Sequence, residues 1–328
     1  MSDPPDRPSD GDDESLEVSL ERSLRRQPLD AEALARIRTA AQAEFETQYG
    51  RSRRRHFAWR RVSLAAALLL AILAGVLMVR PAPEGPVIGS IVRIENGAVQ
   101  AKSGWLLHHT LGAGSSLRVG ETCEATGTTL VALAHGGSFR VAPGSSFELA
   151  APDELFLHTG RVYFDFPAGG HAFLLRATAG TVEHLGTQFE VTLVDAGMRV
   201  RVREGAVRVR TGSNVERAEA GSEVMVQQSG TIIRQSVPTY GPEWAWVEAI
   251  APDFDIENRP LADFLTWVAR ETGRHIDFTD DRARTVAAST RLHGSVHGLA
   301  PLEALDRVLS TTTLRFEVHG DTIRVSSR

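Results

Sequence analysis

Residues 198–210 read MRVRVREGAVRVR. Met198, Val200 and Val202 alternate with Arg199, Arg201 and Arg203; after Glu204 and Gly205, Val207 and Val209 alternate with Arg208 and Arg210. A period of two is that of a β-strand, whose successive side chains point to opposite faces. The stretch therefore predicts two strands meeting at the glycine, with Met198, Val200 and Val202 hidden and the arginines exposed on the other face.

The same texture extends outward in both directions. Short apolar or alternating runs include SIVRI (90–94), TLVALA (129–134), SFRV (138–141), RVYFDF (161–166), FEVTLV (189–194) and EVMVQ (223–227). Glycines such as Gly112, Gly120, Gly136, Gly160, Gly180 and Gly221 fall between or beside them. Strands bounded by turn residues at such short spacing predict an all-β domain over 87–237, a sandwich, barrel or solenoid, with no helix of useful length. The single cysteine, Cys123, excludes an internal disulfide framework and a cysteine-rich zinc site.

The pattern changes over 250–328, where a small α+β module is expected. Phe254-Asp255-Ile256 reads as a strand, and Pro260 opens a helix carrying Leu261, Phe264, Leu265 and Val268 on one face, with Gly273 as its C-terminal cap. His275–Phe278 and Arg291–Val296 read as strands, and Pro301 opens a second helix. Leu314–Val318 and Thr322–Val325, joined through Gly320-Asp321, form a hairpin. The order β-α-β-β-α-β-β suits two helices on one sheet, with Asp263, Arg270, Glu303 and Arg307 facing solvent.

Toward the N-terminus, residues 62–79 (VSLAAALLLAILAGVLMV) carry no charge. As a helix, this run rises roughly 27 Å, close to the thickness of a bilayer core. A transmembrane helix is therefore expected over 60–80. Arg51, Arg53, Arg54, Arg55, Arg60 and Arg61 precede the uncharged run, and Arg80 alone follows closely. The positive-inside bias places the N-terminus in the cytoplasm and the remainder outside. Residues 1–13 lack core-forming side chains and are expected to be disordered. The cytoplasmic segment 14–58 predicts two short amphipathic helices. The second is capped by Asp30 and carries Leu34, Ile37 and Phe45 on one apolar face. That face suits either a docked partner or a linker that packs on itself or on the membrane.

Four motifs occur in order within the β region. They are AHGGSFRV (134–141), LHTGRVYF (157–164), VEHLGTQFEV (182–191) and VREGAVRV (202–209). Together they resemble the FecR family, membrane-bound regulators of extracytoplasmic-function sigma factors, over roughly 87–230. Residues 250–328 are similar to the short N-terminal domain shared by secretins and TonB-dependent transducers. The resemblance implies a bacterial inner-membrane protein with a periplasmic β domain. It implies a sigma factor as cytoplasmic partner, met by 14–48, and an outer-membrane TonB-dependent transducer or other envelope protein as the second partner. It also implies release by regulated proteolysis. The chain departs from the family in one respect: residues 1–58 lack the tryptophan-containing cytoplasmic domain typical of its members. A structural periplasmic scaffold without a sigma-factor partner is the alternative reading.

Enzymatic chemistry is not expected. No G-x-S-x-G, H-E-x-x-H or phosphate-loop motif is present, and no cofactor is implied. His293 and His297 share a predicted strand and turn rather than a helix face, so no metal site is expected. A net charge of -5 with 23% charged residues carries no nucleic-acid signature. Gly186-Thr187 is the one chemically suggestive pair. In a few members of the family this bond is reported to break by itself, through attack of the Thr hydroxyl on the preceding carbonyl to give an ester that water then hydrolyses. The other reading is a plain glycine turn entering the strand at Phe189.

Overall fold

The computed structural model describes residues 30–45, 85–103, 107–170, 172–184 and 186–328. The expected tail 1–13, the first amphipathic helix and the membrane span 60–80 lie outside the described residues. Among the described residues no helix is long and apolar enough to cross a membrane. The chain divides into two units, 1–80 and 81–328.

In the first unit one helix, α1, covers residues 31–45. The Asp30 carbonyl accepts the N–H groups of Ala33 and Leu34, closing the first turn where the cap was expected. Leu34, Ile37 and Phe45 are 48%, 58% and 63% exposed.

The second unit begins with two nine-stranded sheets. Across the first, here sheet A, the strands are β18 (Ile232–Ser236), β17 (Ser222–Gln227), β14 (Gly197–Glu204), β13 (Gln188–Val194), β10 (Arg161–Asp165), β7 (Ser138–Val141), β6 (Thr128–Leu133), β1 (Val87–Glu95) and β4 (Ser116–Arg118). Sheet B runs β16 (Asn214–Glu219), β15 (Ala206–Thr211), β12 (Gly180–His184), β11 (Leu174–Ala177), β9 (Glu154–Thr159), β8 (Ser145–Ala151), β5 (Thr122–Ala125), β2 (Val99–Ser103) and β3 (Leu107–Leu111). Chain order and spatial order nearly coincide in both sheets, so the chain crosses repeatedly from one to the other as it advances. The result is a sandwich wound like a solenoid, built largely from neighbours in sequence. Among the described residues, pairing within these two sheets is antiparallel except between β9 and β11.

The inward side chains of both sheets form one apolar core. Phe139, Phe147, Phe164 and Phe189 sit at its centre, with Phe164 stacked on Phe189 at 5.1 Å and Phe139 edge-on to Phe147 at 5.7 Å. Removing one such ring costs about 3–5 kcal/mol, so these four largely fix the register of the strands that carry them. Met198, Val200 and Val202 lie in this core as the alternation predicts. Cys123 lies there too, and burial pushes its thiol up to about 12, leaving it inert at neutral pH.

The C-terminal module has its own core, made of residues between Phe254 and Val325. It contains helices α3 (Leu261–Thr272), α4 (Asp281–Ser289) and α5 (Pro301–Ser310), and strands β19 (His275–Phe278), β20 (Leu314–His319) and β21 (Thr322–Ser327), ordered β19-β21-β20. A short 3-10 turn (Pro242–Trp244) and helix α2 (Ala245–Ala249) connect module and sandwich.

Three expectations are corrected. Phe254–Ile256 and Arg291–Val296 are not strands; of the second, only Arg291 makes a bridge, to Pro260. Phe254 packs on Phe264 and Trp267, and Leu292 and Val296 are buried in the module core, so their apolar spacing reflects packing under a helix rather than strand pairing. Helix α4 was not expected. It presents mainly Ala283 and Ala287 to the core, and small residues leave a faint periodicity. Pro260 is the N-cap of α3 rather than its first residue, and Gly273 is the left-handed C-cap at φ 63°. A Cβ on Gly273 would lie 2.0 Å from the Thr239 carbonyl oxygen, so the linker can press against this cap only because it is glycine.

Candidate functional site

The outer face of sheet A carries a ladder of charge across five strands. In register, Arg140 on β7 faces Tyr163 on β10, Tyr163 faces Glu190 on β13, Glu190 faces Arg201 on β14, and Arg201 faces Glu223 on β17. Strand alternation puts these residues on the face opposite the core. A bulge opposite Gln188 and Phe189 leaves Arg203 as the extra residue of β14.

This face is not open to solvent. The side chains of Arg140, Arg203 and Arg201 are 0%, 0% and 12% exposed. Arg201 and Arg203, which the alternation placed on an exposed face, are instead covered by the linker, whereas Arg210 on β15 is exposed as expected. Arg203 donates to the Thr239 carbonyl and to Glu248, both at 2.8 Å, and lies over the Trp244 ring. Arg201 bonds Glu223 at 2.5 Å and Glu243 at 2.7 Å. Trp246 donates its indole N–H to Glu190 at 2.9 Å and takes the Arg161 guanidinium over its ring. Trp244 packs edge-on against Tyr163, and with Val247 they form a small apolar cluster. Burial pushes the Tyr163 hydroxyl above its ordinary pKa, with Arg203 opposing, so it stays a neutral phenol.

Helix α3 adds a second set of contacts. Glu271 accepts from Arg140 at 2.7 Å, and Arg140 also donates to the Val247 carbonyl at 3.0 Å. Burial raises the Glu271 carboxyl above the usual carboxylate range, with Arg140 pulling it back. Arg270 bonds Glu204 at 2.7 Å, the Phe166 carbonyl at 3.3 Å, and Asp165. Arg270 was expected to face solvent. It is instead a bridge between the two parts, whereas Glu303 and Arg307 are exposed as expected and Asp263 pairs with Arg259 at 3.0 Å.

Beneath this clamp lies the Gly186-Thr187 turn. Gly186 has φ +81° and donates its N–H to His184 Nδ1 at 3.1 Å. The Thr187 carbonyl accepts from the Phe166 N–H at 3.0 Å. Thr187 is 1% exposed, and its hydroxyl has no hydrogen-bond partner among the described residues. Gly205, at φ +76°, touches this turn: a Cβ there would lie 2.4 Å from the Gly186 carbonyl oxygen. The glycine of the MRVRVREGAVRVR stretch is thus required by the Gly186-Thr187 turn as well as by its own. His184 is buried and stacks on Phe166 at 4.0 Å.

The remaining candidates are not gathered here. Leu34, Ile37 and Phe45 belong to the other unit. His293 bonds Glu257 at 2.8 Å, while His297 pairs with Asp253 at 2.6 Å, so the two face different carboxylates. Among the described residues no group of three or more His, Cys, Asp or Glu is placed to hold a metal ion. Sequence reasoning missed the charge ladder. The available signal was alternation of opposite charges on neighbouring strands, followed by the tryptophan pair of the linker (GPEWAWVEAI, 241–250).

Residues 117–208 match the family model described as FecR protein. The matched stretch runs from β4 into β15 and includes the turn at Gly186, so the resemblance to the FecR family is shown over this part of the sandwich. No curated protein matches the chain. Two crystal structures of a protein described as a "putative anti-sigma factor" from Parabacteroides distasonis ATCC 8503 are similar to it. Each is 18% identical with a TM-score of 0.32, and the similarity covers 62% of this chain and 96% and 97% of those chains.

Proposed function

We propose that this chain is a single-pass inner-membrane regulator of an extracytoplasmic-function sigma factor. Residues 14–58 face the cytoplasm, 60–80 span the membrane, and the sandwich and module lie in the periplasm. The observation that carries this reading is the FecR family match over 117–208. Two features support it. The arginine excess before residue 62 orients the span. Helix α1 presents Leu34 and Ile37 outward, and an amphipathic helix of this kind suits docking into a partner's groove.

In this reading the module receives an envelope signal, with the signalling domain of an outer-membrane TonB-dependent transducer as its partner. The signal reaches the cytoplasm by protein contacts and regulated proteolysis rather than by catalytic turnover. Two experiments test the arrangement. Alkaline phosphatase fused after Arg328 is active and the same enzyme fused after Gly50 is not; the reverse pattern contradicts the topology. Deleting residues 14–58 changes transcription from promoters of the sigma factor encoded nearest this gene. Unchanged transcription contradicts the regulatory role and favours the scaffold reading.

A further inference from the structure

Besides Arg93 on β1, which bonds Asp253 at 3.2 Å and the Ala251 carbonyl at 2.9 Å, the contacts between sandwich and C-terminal module fall into two tiers of different chemistry. The linker tier is apolar at its centre: Trp244 and Val247 are buried against Tyr163. The module tier is ionic. The apolar core of the sandwich and that of the module are separate clusters, and the residues of α3 that reach the sandwich are Arg270 and Glu271. An apolar contact resists separation in water, whereas charged groups regain hydration when they part. The module tier is therefore the one that opens at lower cost, and interfaces of this polar kind permit relative motion of the parts they join. A cleft of about 430 Å³ enters this seam, lined in part by Gln188, Arg203, Glu204, Thr239 and Arg270.

Opening at Arg270 has a specific consequence. Asp165 is shared: one carboxylate oxygen meets Arg270, and the other accepts the Gln188 side-chain N–H at 3.0 Å. Phe166 is shared as well. Its carbonyl accepts from Arg270, and its N–H holds the Thr187 carbonyl. Glu204, the third partner of Arg270, pairs with Gln188 across the strands. Every group that binds Arg270 therefore also borders the 186–188 segment, where Thr187 and Gln188 are each 1% exposed.

We propose that α3 is a latch, in which Arg270 and Glu271 hold the module on sheet A and Arg270 positions the Gly186–Gln188 segment, so that a partner pulling on the module frees that segment. The inference rests on this interface and is independent of any sigma-factor partner. It holds whether or not the Gly186-Thr187 bond breaks.

The test is hydrogen exchange by mass spectrometry on the full chain, comparing wild type with Arg270→Glu, Arg270→Gln and Arg270→Lys. Arg270→Glu sets a like charge beside Asp165 and Glu204. Exchange over 184–190 is expected to rise about tenfold or more, as easier local opening requires. Peptides from β8–β9 and from β20–β21 keep their wild-type rates, Arg270→Gln gives an intermediate rise, and Arg270→Lys stays near wild type. The proposal is overturned if 184–190 exchanges at the wild-type rate in Arg270→Glu. It is equally overturned if both Arg270→Glu and Arg270→Gln speed exchange throughout the chain, because Arg270 then supports the fold rather than a latch. Since sigma-factor capture is a separate assay, failure of either idea is read without the other.

Discussion

Arg140 and Glu271 lie 131 positions apart in the chain, yet their side chains meet at 2.7 Å with exposures of 0% and 3%. An ion pair so fully removed from water gains little net stability as a pair, but removing one member strands a charge. Arg140→Met and Glu271→Met are each expected to destabilise the docked arrangement by about 3–5 kcal/mol. The double variant Arg140→Met/Glu271→Met should lose much less than the two single changes combined, because neither charge remains buried alone. Chemical denaturation of the four proteins measures this. Additive losses would show that the pair is not coupled.

Gly205 tests the close approach at the Gly186-Thr187 turn. Gly205→Ala combines a left-handed backbone with a Cβ 2.4 Å from the Gly186 carbonyl oxygen, so either strand β14 or the turn must move. A loss of about 2 kcal/mol or more is expected, within the range for strained special positions. Gly212→Ala, at φ +54° with open space around its Cβ, is the control and should cost less. Equal melting temperatures for the two variants would contradict the geometry.

Asp280 supplies a pH-dependent contribution confined to the module. The Ser327 backbone N–H, then the Ala283 N–H and the Ser327 hydroxyl, lower its pKa from an ordinary 3.8 to about 2. Its folded pKa is depressed, so the stabilisation is present above about 3.8 and is lost as pH falls toward 2 and below. Amide exchange in α4 and at Ser327 should accelerate across that window in wild type. Asp280→Asn should flatten the response, and an unchanged acid profile in that variant would assign the effect to other groups.

The Gly186-Thr187 bond is expected to stay whole as a glycine turn. Purified full chain held for days at neutral pH should run as one band, and Thr187→Ala should look identical. Two fragments from wild type that Thr187→Ala abolishes would instead identify the Thr187 hydroxyl, which has no hydrogen-bond partner among the described residues, as a nucleophile.

Much of the fold was legible because alternation is a strong signal wherever one face is buried. Met198, Val200 and Val202 entered the core as read, and so did the hairpin around Gly320 and the helices opened by Pro260 and Pro301. The two segments misread as strands share one cause. Ile256, Leu292 and Val296 are buried in the module core and Phe254 packs against it, and apolar spacing alone does not say whether a buried segment is a strand or a loop. The paired arginines were illegible for a different reason. Arg140, Arg203 and Arg270 look like solvent-facing residues until Glu271, Glu248 and Asp165, far along the chain, are brought to them. Leu34, Ile37 and Phe45 are exposed on α1, and an apolar spacing does not name a partner.

Engagement of a sigma factor by α1, as proposed, is open to test by co-purification. The full chain, extracted in mild detergent, is mixed with the sigma factor encoded nearest its gene, beside an Ile37→Asp variant that sets a charge in the apolar contact. Wild type is predicted to retain the sigma factor, and Ile37→Asp to bind it about tenfold or more weaker, the penalty for burying an unpaired carboxylate. No retention by wild type, or equal retention by both, would contradict the account.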